Sequence, residues 1–177
     1  MILSGKTIKQ KVESGEIVIE PEPDDCQYQP ASLDFKLGDQ LYNVAKGSYT
    51  PNDNKEVVLQ PNIPYLGHSL EWLELPDDIA AFATGRSSVG REGVIIHKTA
   101  GWVDPGFTGN LTLEMYNFNF VLRQSKYGHE IVVEDQSSRS YEPGARIGQL
   151  VFFPLDQPSD GYDGQYQGQK KPNQGSV

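Results

Sequence analysis

Between Gly85 and Asn117 the chain reads GRSSVGREGVIIHKTAGWVDPGFTGNLTLEMYN, and the residue types that can do chemistry are concentrated there. In Gly85-Arg86-Ser87-Ser88-Val89-Gly90-Arg91, glycines free the backbone to turn while hydroxyls, amides and two guanidiniums can converge on an anion such as phosphate. The G-x-x-x-x-G-K-[ST] spacing of a P-loop is absent. Asp104-Pro105-Gly106-Phe107 has Pro and Gly at the second and third positions of a type II turn, which would present the Asp104 carboxylate at a strand end. Further on, Leu111, Leu113 and Met115 alternate with Thr112, Glu114 and Tyr116, a period of two. Glu114 is therefore expected on the face opposite the apolar one. Carboxylates are depleted in strands, so a mid-strand Glu asks for a reason, either a solvated or salt-bridged surface group or a catalytic one.

The elements that must position these groups are short strands. Ser4 reads as the N-cap of a short helix ended by Gly15, with Ile8 and Val12 on one face. Ile17-Val18-Ile19 is a strand closed by Pro21 and Pro23. Ser32 to Leu37 alternates as another, Glu56 to Leu59 is a short β-rich run, and Ile79 to Thr84 reads as a buried strand leading into Arg86. Arg146 to Pro154 is a further apolar strand. Many short strands, Gly/Pro punctuation and one clear helix predict an all-β barrel or sandwich. Phe120–Gln124 and Glu130–Glu134 read as arms of a hairpin around Ser125 to His129, inside a segment 119–142 that reads as a surface insertion, with a role at a subunit contact as the alternative. From Pro158 the chain is rich in Gly, Gln, Pro and Asp. The expected organisation is therefore one domain over 1–157 and a mobile tail over 158–177.

A length of 177 residues suits one domain with a sizeable core. A net charge of −9 argues against a general nucleic-acid binder. An acidic protein that handles a polyanion must concentrate positive charge locally, as Arg86 and Arg91 could. Cys26 is the single cysteine, so an internal disulfide is excluded and a reducing cytoplasm is compatible. The sequence has no apolar run long enough for a membrane span and no signal-peptide pattern, which reads as a soluble, cytoplasmic protein.

GRSSVGR, HKTAGWVDPGF and GNLTLEMYN together resemble the dCTP deaminases of the trimeric dUTPase superfamily, and most closely their bifunctional dCTP deaminase/dUTPase members. The opening MILSGKTI, Gln29 to Asp34, Arg146-Ile147-Gly148-Gln149-Leu150 and Tyr166-Gln167-Gly168-Gln169 extend the likeness over nearly the whole chain. The resemblance implies a distorted jelly-roll barrel of the dUTPase-like type and a homotrimer with its sites between subunits. It also implies conversion of dCTP to dUMP, ammonia and pyrophosphate, with dCTP and dUTP as substrates and dTTP as an inhibitor. The alternatives are a deaminase that stops at dUTP, or a non-catalytic nucleotide-sensing module on the same scaffold.

By the same resemblance, Glu114 shuttles the proton between water and the pyrimidine, with a pKa drawn up by burial. Ser87 and Arg91 hold the water and stabilise charge around the base, Arg91 from a neighbouring subunit. Asp104 accepts the 3′-hydroxyl and helps to place the water that cleaves between the α and β phosphates, and Phe107 lies against the deoxyribose. Arg86, Ser88 and Gln169 hold phosphates and Gln149 touches the nucleotide. Val89, Gly90, Thr112, Leu113, Tyr162 and Gln165 complete the binding set. Gly101-Trp102 occupies the place where bifunctional and deaminase-only members differ. Mg²⁺ arrives chelated by the triphosphate, with no protein ligand. A zinc deaminase carries H-x-E…P-C-x-x-C. With one cysteine and only His68, His97 and His129 at no ligand spacing, this chain has no such zinc site. His97, beside Lys98-Thr99, reads as a structural strand residue. Gln165 stands where the family tail has a Lys, and Lys170 and Lys171 are the candidates to replace its charge.

Overall fold

The computed structural model describes residues 1–50, 56–118, 121–125, 128–132 and 138–172. Two antiparallel sheets face each other across one core. The first runs Ser48–Tyr49, Tyr42–Asn43, Pro64–Glu74, Thr108–Asn117 and Val94–Ile95, with Val18–Glu20 also paired to Pro64–Glu74. The second runs Trp102–Val103, Ile79–Gly85, Arg146–Pro154, Ser32–Lys36 and Tyr28–Gln29. A bridge between Leu37 and Ser69 ties one sheet to the other, as the expected all-β barrel requires.

Alternation builds the core from both sides. Leu113 and Met115 are fully buried from the first sheet, and Leu33, Phe35, Leu150 and Phe152 come in from the second. Each such burial contributes about 1.5–3 kcal/mol. Gly67 and Gly148 make room for a side chain of the adjacent strand, since a Cβ at Gly67 would lie 2.7 Å from the Met115 sulfur and one at Gly148 2.2 Å from the Phe35 ring. Ser32–Lys36 departs from a half-exposed strand, because Ser32, Leu33, Asp34 and Phe35 are all buried. Its second face is covered by polar partners: Gln27 Nε2 donates to the Asp34 backbone oxygen, and Arg86 and Arg146 both pair with the Asp34 carboxylate.

The helix is Gly5–Glu13, with Ser4 Oγ accepting from Thr7 N and Gly15 in the left-handed region after it. Gly85 to Arg91 is not an open loop. Ser87–Arg91 forms one helical turn with Arg86 as N-cap, and the Val89 side chain is buried in the core. Within 119–142, Val121–Ser125 pairs antiparallel with Gly128–Val132, so the hairpin is present and its pairing includes Ser125 opposite Gly128. The 119–120, 126–127 and 133–137 parts of that expectation lie outside the described residues. Arg139–Tyr141 then pairs with Val57–Leu59. No helix among the described residues is long and apolar enough to cross a membrane.

Candidate active site

Asp104 sits where the turn chemistry puts it. Phe107 N donates to Asp104 O at 3.3 Å and Gly106 has φ +74°, the geometry of a type II turn. The exposed carboxylate is held from the preceding strand, whose Trp102 Nε1 donates to Asp104 Oδ1 at 3.0 Å. Trp102 itself lies against Phe153, with ring centroids 5.8 Å apart. Gly101 is required by close approach, because a Cβ there would meet the Ala83 carbonyl oxygen at 2.5 Å.

Glu114 projects from Thr108–Asn117 on the face it shares with Thr112 and Tyr116, all three half-buried. Its Oε2 accepts from Thr99 N at 3.2 Å and from Thr99 Oγ1 at 3.4 Å. Thr99 follows His97 and Lys98, and the Lys98 ammonium rests 5.0 Å above the Tyr116 ring. His97 has both ring nitrogens buried without a hydrogen-bond partner among the described residues. Burial pushes its pKa down from the ordinary histidine value, and Glu114 pulls the other way.

The tail lies along the same edge. Tyr162 N donates to Pro105 O, Gly168 N to Thr108 O and Asn110 N to Gln169 O. Gln169 Nε2 donates to Asn110 O at 2.8 Å, while its Oε1 accepts from Thr112 Oγ1 at 3.3 Å. Gly109, with φ +148°, allows this contact, since a Cβ would stand 3.0 Å from the Gln169 backbone. Tyr162 packs on Phe107 at 5.9 Å between centroids. Residues 173–177 of the expected tail lie outside the described residues.

These groups enclose a cavity of about 370 Å³. Of the residues singled out in the sequence, Trp102, Asp104, Phe107, Thr112, Glu114, Tyr162 and Gln169 line it. A nucleotide-sized pocket with two carboxylates and the rings of Trp102, Phe107, Tyr162 and Tyr166 can hold a base and a sugar and move a proton beside them. The cavity also takes in His97, Ala100, Val103, Leu111 and Tyr166.

Other expected residues lie elsewhere in the chain. Gly85, Arg86, Ser87, Gly90 and Gly101 line a second cavity of about 360 Å³, shared with Lys98 and Thr99. His97 borders both cavities and so forms part of the wall between them. Ser87, Ser88, Gly90 and Arg91 are exposed. The Arg86 guanidinium is turned inward, with Nε 3.2 Å from Asp34 Oδ2. Arg146 Nη1 is 3.3 Å from the same oxygen, so two guanidiniums share one buried carboxylate. Desolvation pushes the Asp34 pKa up and the two arginines hold it back. Gln149 Oε1 accepts from Ser32 Oγ at 3.3 Å on the second sheet. Val89 and Leu113 place their side chains in the core. Gln165 is exposed, and Lys170 rests over the Trp72 ring at 6.0 Å. Among the described residues no three His, Cys, Asp or Glu side chains come together as a metal site.

Sequence reasoning missed Thr99 and the position of His97 in the cavity wall. The HKT run that precedes the Asp104 turn was the available signal. It also gave Asp34 no role, although that residue ends a run already singled out.

The dCTP deaminase-like family model matches residues 2–126. A dCTP deaminase, dUMP-forming, of Methanobrevibacter smithii is 37% identical over 177 residues, covering 90% of this chain and 83% of the relative. A dCTP deaminase of Haloarcula marismortui is 33% identical over 201 residues, covering 100% and 95%. The crystal structure of the Agrobacterium tumefaciens 2′-deoxycytidine 5′-triphosphate deaminase superposes with a TM-score of 0.65 at 24% identity over 85% of this chain. This chain spans 47% of that one. A mutant dUTPase of the Staphylococcus aureus phage phi11, solved with a structural Mg(II) ion, matches with a TM-score of 0.55 at 16% identity over 85% of this chain and 98% of its own. These structures share the dUTPase-like fold with this chain.

Proposed function

We propose that this chain, which belongs to the dCTP deaminase-like family, hydrolyses Mg²⁺-bound dCTP to dUMP, ammonia and diphosphate. The observation that carries the proposal is the single cavity on which Glu114 and Asp104 both open, with Phe107 beside them. Glu114 takes a proton from water as its oxygen adds to C4 of cytosine. The proton is passed on to the ring, the C4–N4 bond breaks, and ammonia leaves. Thr99 fixes one oxygen of that carboxylate, leaving Oε1 to face the reacting water. Asp104 takes the 3′-hydroxyl and orients a second water toward the α-phosphorus, from which diphosphate departs. Phe107, backed by Tyr162, lies against the sugar, and Gln169 closes over the phosphates.

Ser87 and Arg91 act from a second copy of the chain in a homotrimer, bringing cation and hydroxyl to the Glu114 cavity. Their exposure in one chain supports this reading, as does the separation of the two cavities by the His97 wall. Docking of a neighbour also completes the burial of Glu114 that a proton shuttle needs. dTTP, which shares the sugar and triphosphate, is an inhibitor in this reading.

A second reading, deamination that stops at dUTP, is favoured by the naming of the Haloarcula relative as a dCTP deaminase. Incubation with dCTP and Mg²⁺, with products separated over time, decides between them. dUMP should form without a dUTP phase, whereas accumulating dUTP would favour the second reading and absence of ammonia would remove both.

A further inference from the structure

The residues at the exit of the 119–142 insertion are attached to the Ser87–Arg91 helix. Arg139–Tyr141 is fixed to the barrel by its pairing with Val57–Leu59, in register Arg139 to Leu59 and Tyr141 to Val57. Val57 and Leu59 are buried, so this base is rigid. Two residues apart on one strand, Arg139 and Tyr141 project to the same side, and both reach Glu92. Tyr141 Oη donates to Glu92 Oε2 at 2.9 Å, and Arg139 Nε donates to the Glu92 backbone oxygen at 3.2 Å. Glu92 directly follows Arg91 and is the C-cap of the helix, its N–H bonded to Val89 O. Next along the chain, Phe118 N donates to Gly93 O at 2.7 Å, and Val94–Ile95 pairs with Tyr116–Asn117 at the end of the Glu114 strand. The helix is thus gripped twice, once by the strand that carries Glu114 and once by the insertion.

We propose that Tyr141 and Arg139 are positioning residues that hold the Ser87–Arg91 helix in register through Glu92, which makes the insertion a brace for the half-site this chain offers its neighbour. The proposal rests on the reading of Ser87 and Arg91 given above. Displacement of a catalytic group by a fraction of an ångström lowers turnover without abolishing binding, and a one-turn helix has little stability of its own. Burial, and then the Glu92 carboxylate, raise the Tyr141 phenol above its ordinary range while Arg139 lowers it. The hydroxyl therefore stays protonated and donating wherever the enzyme works.

The test is Tyr141→Phe, which keeps the ring packed and removes only the hydroxyl, followed by Glu92→Gln alone and in combination. Millisecond hydrogen exchange should show the amides of 88–93 losing about tenfold in protection, the weight of one hydrogen bond to a charged acceptor, while those of 111–115 do not change. Ammonia release from Mg²⁺-dCTP should fall in kcat by a similar factor with KM little altered. The double variant should be no worse than either single one, as expected of partners in one contact. Unchanged protection at 88–93 overturns the brace, and so does loosened protection with full turnover. A wild-type protein that releases no ammonia would instead remove the deaminase reading, and exchange would still judge the brace.

Discussion

Two parts of the molecule carry groups suited to nucleotide chemistry, and they differ in how far a single chain completes them. The Asp104–Glu114 cavity has its two carboxylates and its walls set by one chain. Trp102 holds Asp104, Thr99 holds Glu114, and the tail is bonded along Thr108 and Asn110 to close the far side. The Ser87–Arg91 turn has a firm foundation, with Val89 buried and Glu92 gripped, but its polar groups face outward. In the proposed function this fixed backbone presents its exposed serines and arginine to a second chain. The simplest recipient is the cavity of another copy, because closed symmetry brings one chain's outward face to the same place on each neighbour.

The largest effect that could break this contrast is at the finished cavity. Glu114→Gln should lower ammonia release by about 10³-fold, within the span of general acid–base contributions, while calorimetry still detects binding of Mg²⁺-dCTP. Substantial turnover by that variant would mean that the cavity is not where deamination occurs. Arg91→Ala should lower it by about 10²-fold, the scale of losing one charge-stabilising donor, with the melting temperature unchanged because the side chain is exposed. A large loss of stability instead would assign Arg91 to the fold.

Within the cavity, Trp102→Phe separates the two carboxylates. The ring can still lie against Phe153, but Asp104 loses its indole donor. Cleavage of dUTP should slow by roughly tenfold, in line with one charge-assisted hydrogen bond. Ammonia release should hold, so dUTP should appear in the product trace. Equal slowing of both steps would show that Asp104 does not act separately.

The smallest effect concerns His97. Its folded pKa lies below the ordinary value of 6.5, chiefly through burial. The unfolded chain therefore takes up that proton more readily than the folded one. This contribution is intact above pH 6.5 and is lost as pH falls below it. Thermal melts of wild type and His97→Asn between about pH 7 and about pH 5.5 should show a shallower decline in the variant. Parallel declines would place the acid sensitivity elsewhere.

The features that were legible in the sequence are the local ones. Asp104-Pro105-Gly106 specifies its turn through the φ demands of Pro and Gly, and the alternation from Leu111 to Tyr116 turns Glu114 out. The same alternation turns Leu113 into the core, so its side chain could have been excluded from the binding set by period alone. Ser4 and Gly15 bounded the helix for equally local reasons. What could not be read depends on distant partners. Arg86 looks like any phosphate-seeking arginine until the strand that carries Asp34 is laid beside it. Ser87–Arg91 looks like an open loop until Val89 finds the core. Thr99 carries only the faint signal of its place in the HKT run, because its importance comes from the fold that sets it against Glu114. The grip of Tyr141 on Glu92 likewise exists only once the insertion has returned to the barrel.

The central claim, that the two half-sites meet between copies, is tested most directly by mixing them. Glu114→Gln and Arg91→Ala chains, each nearly inactive alone, are co-expressed in equal amounts, and ammonia release from Mg²⁺-dCTP is measured on the purified mixture. If each site takes Arg91 from one chain and Glu114 from the next, random assembly restores about a quarter of wild-type activity. If both residues serve the same chain's site, no mixed assembly contains an intact one, and activity that stays at the level of the separate variants contradicts the account.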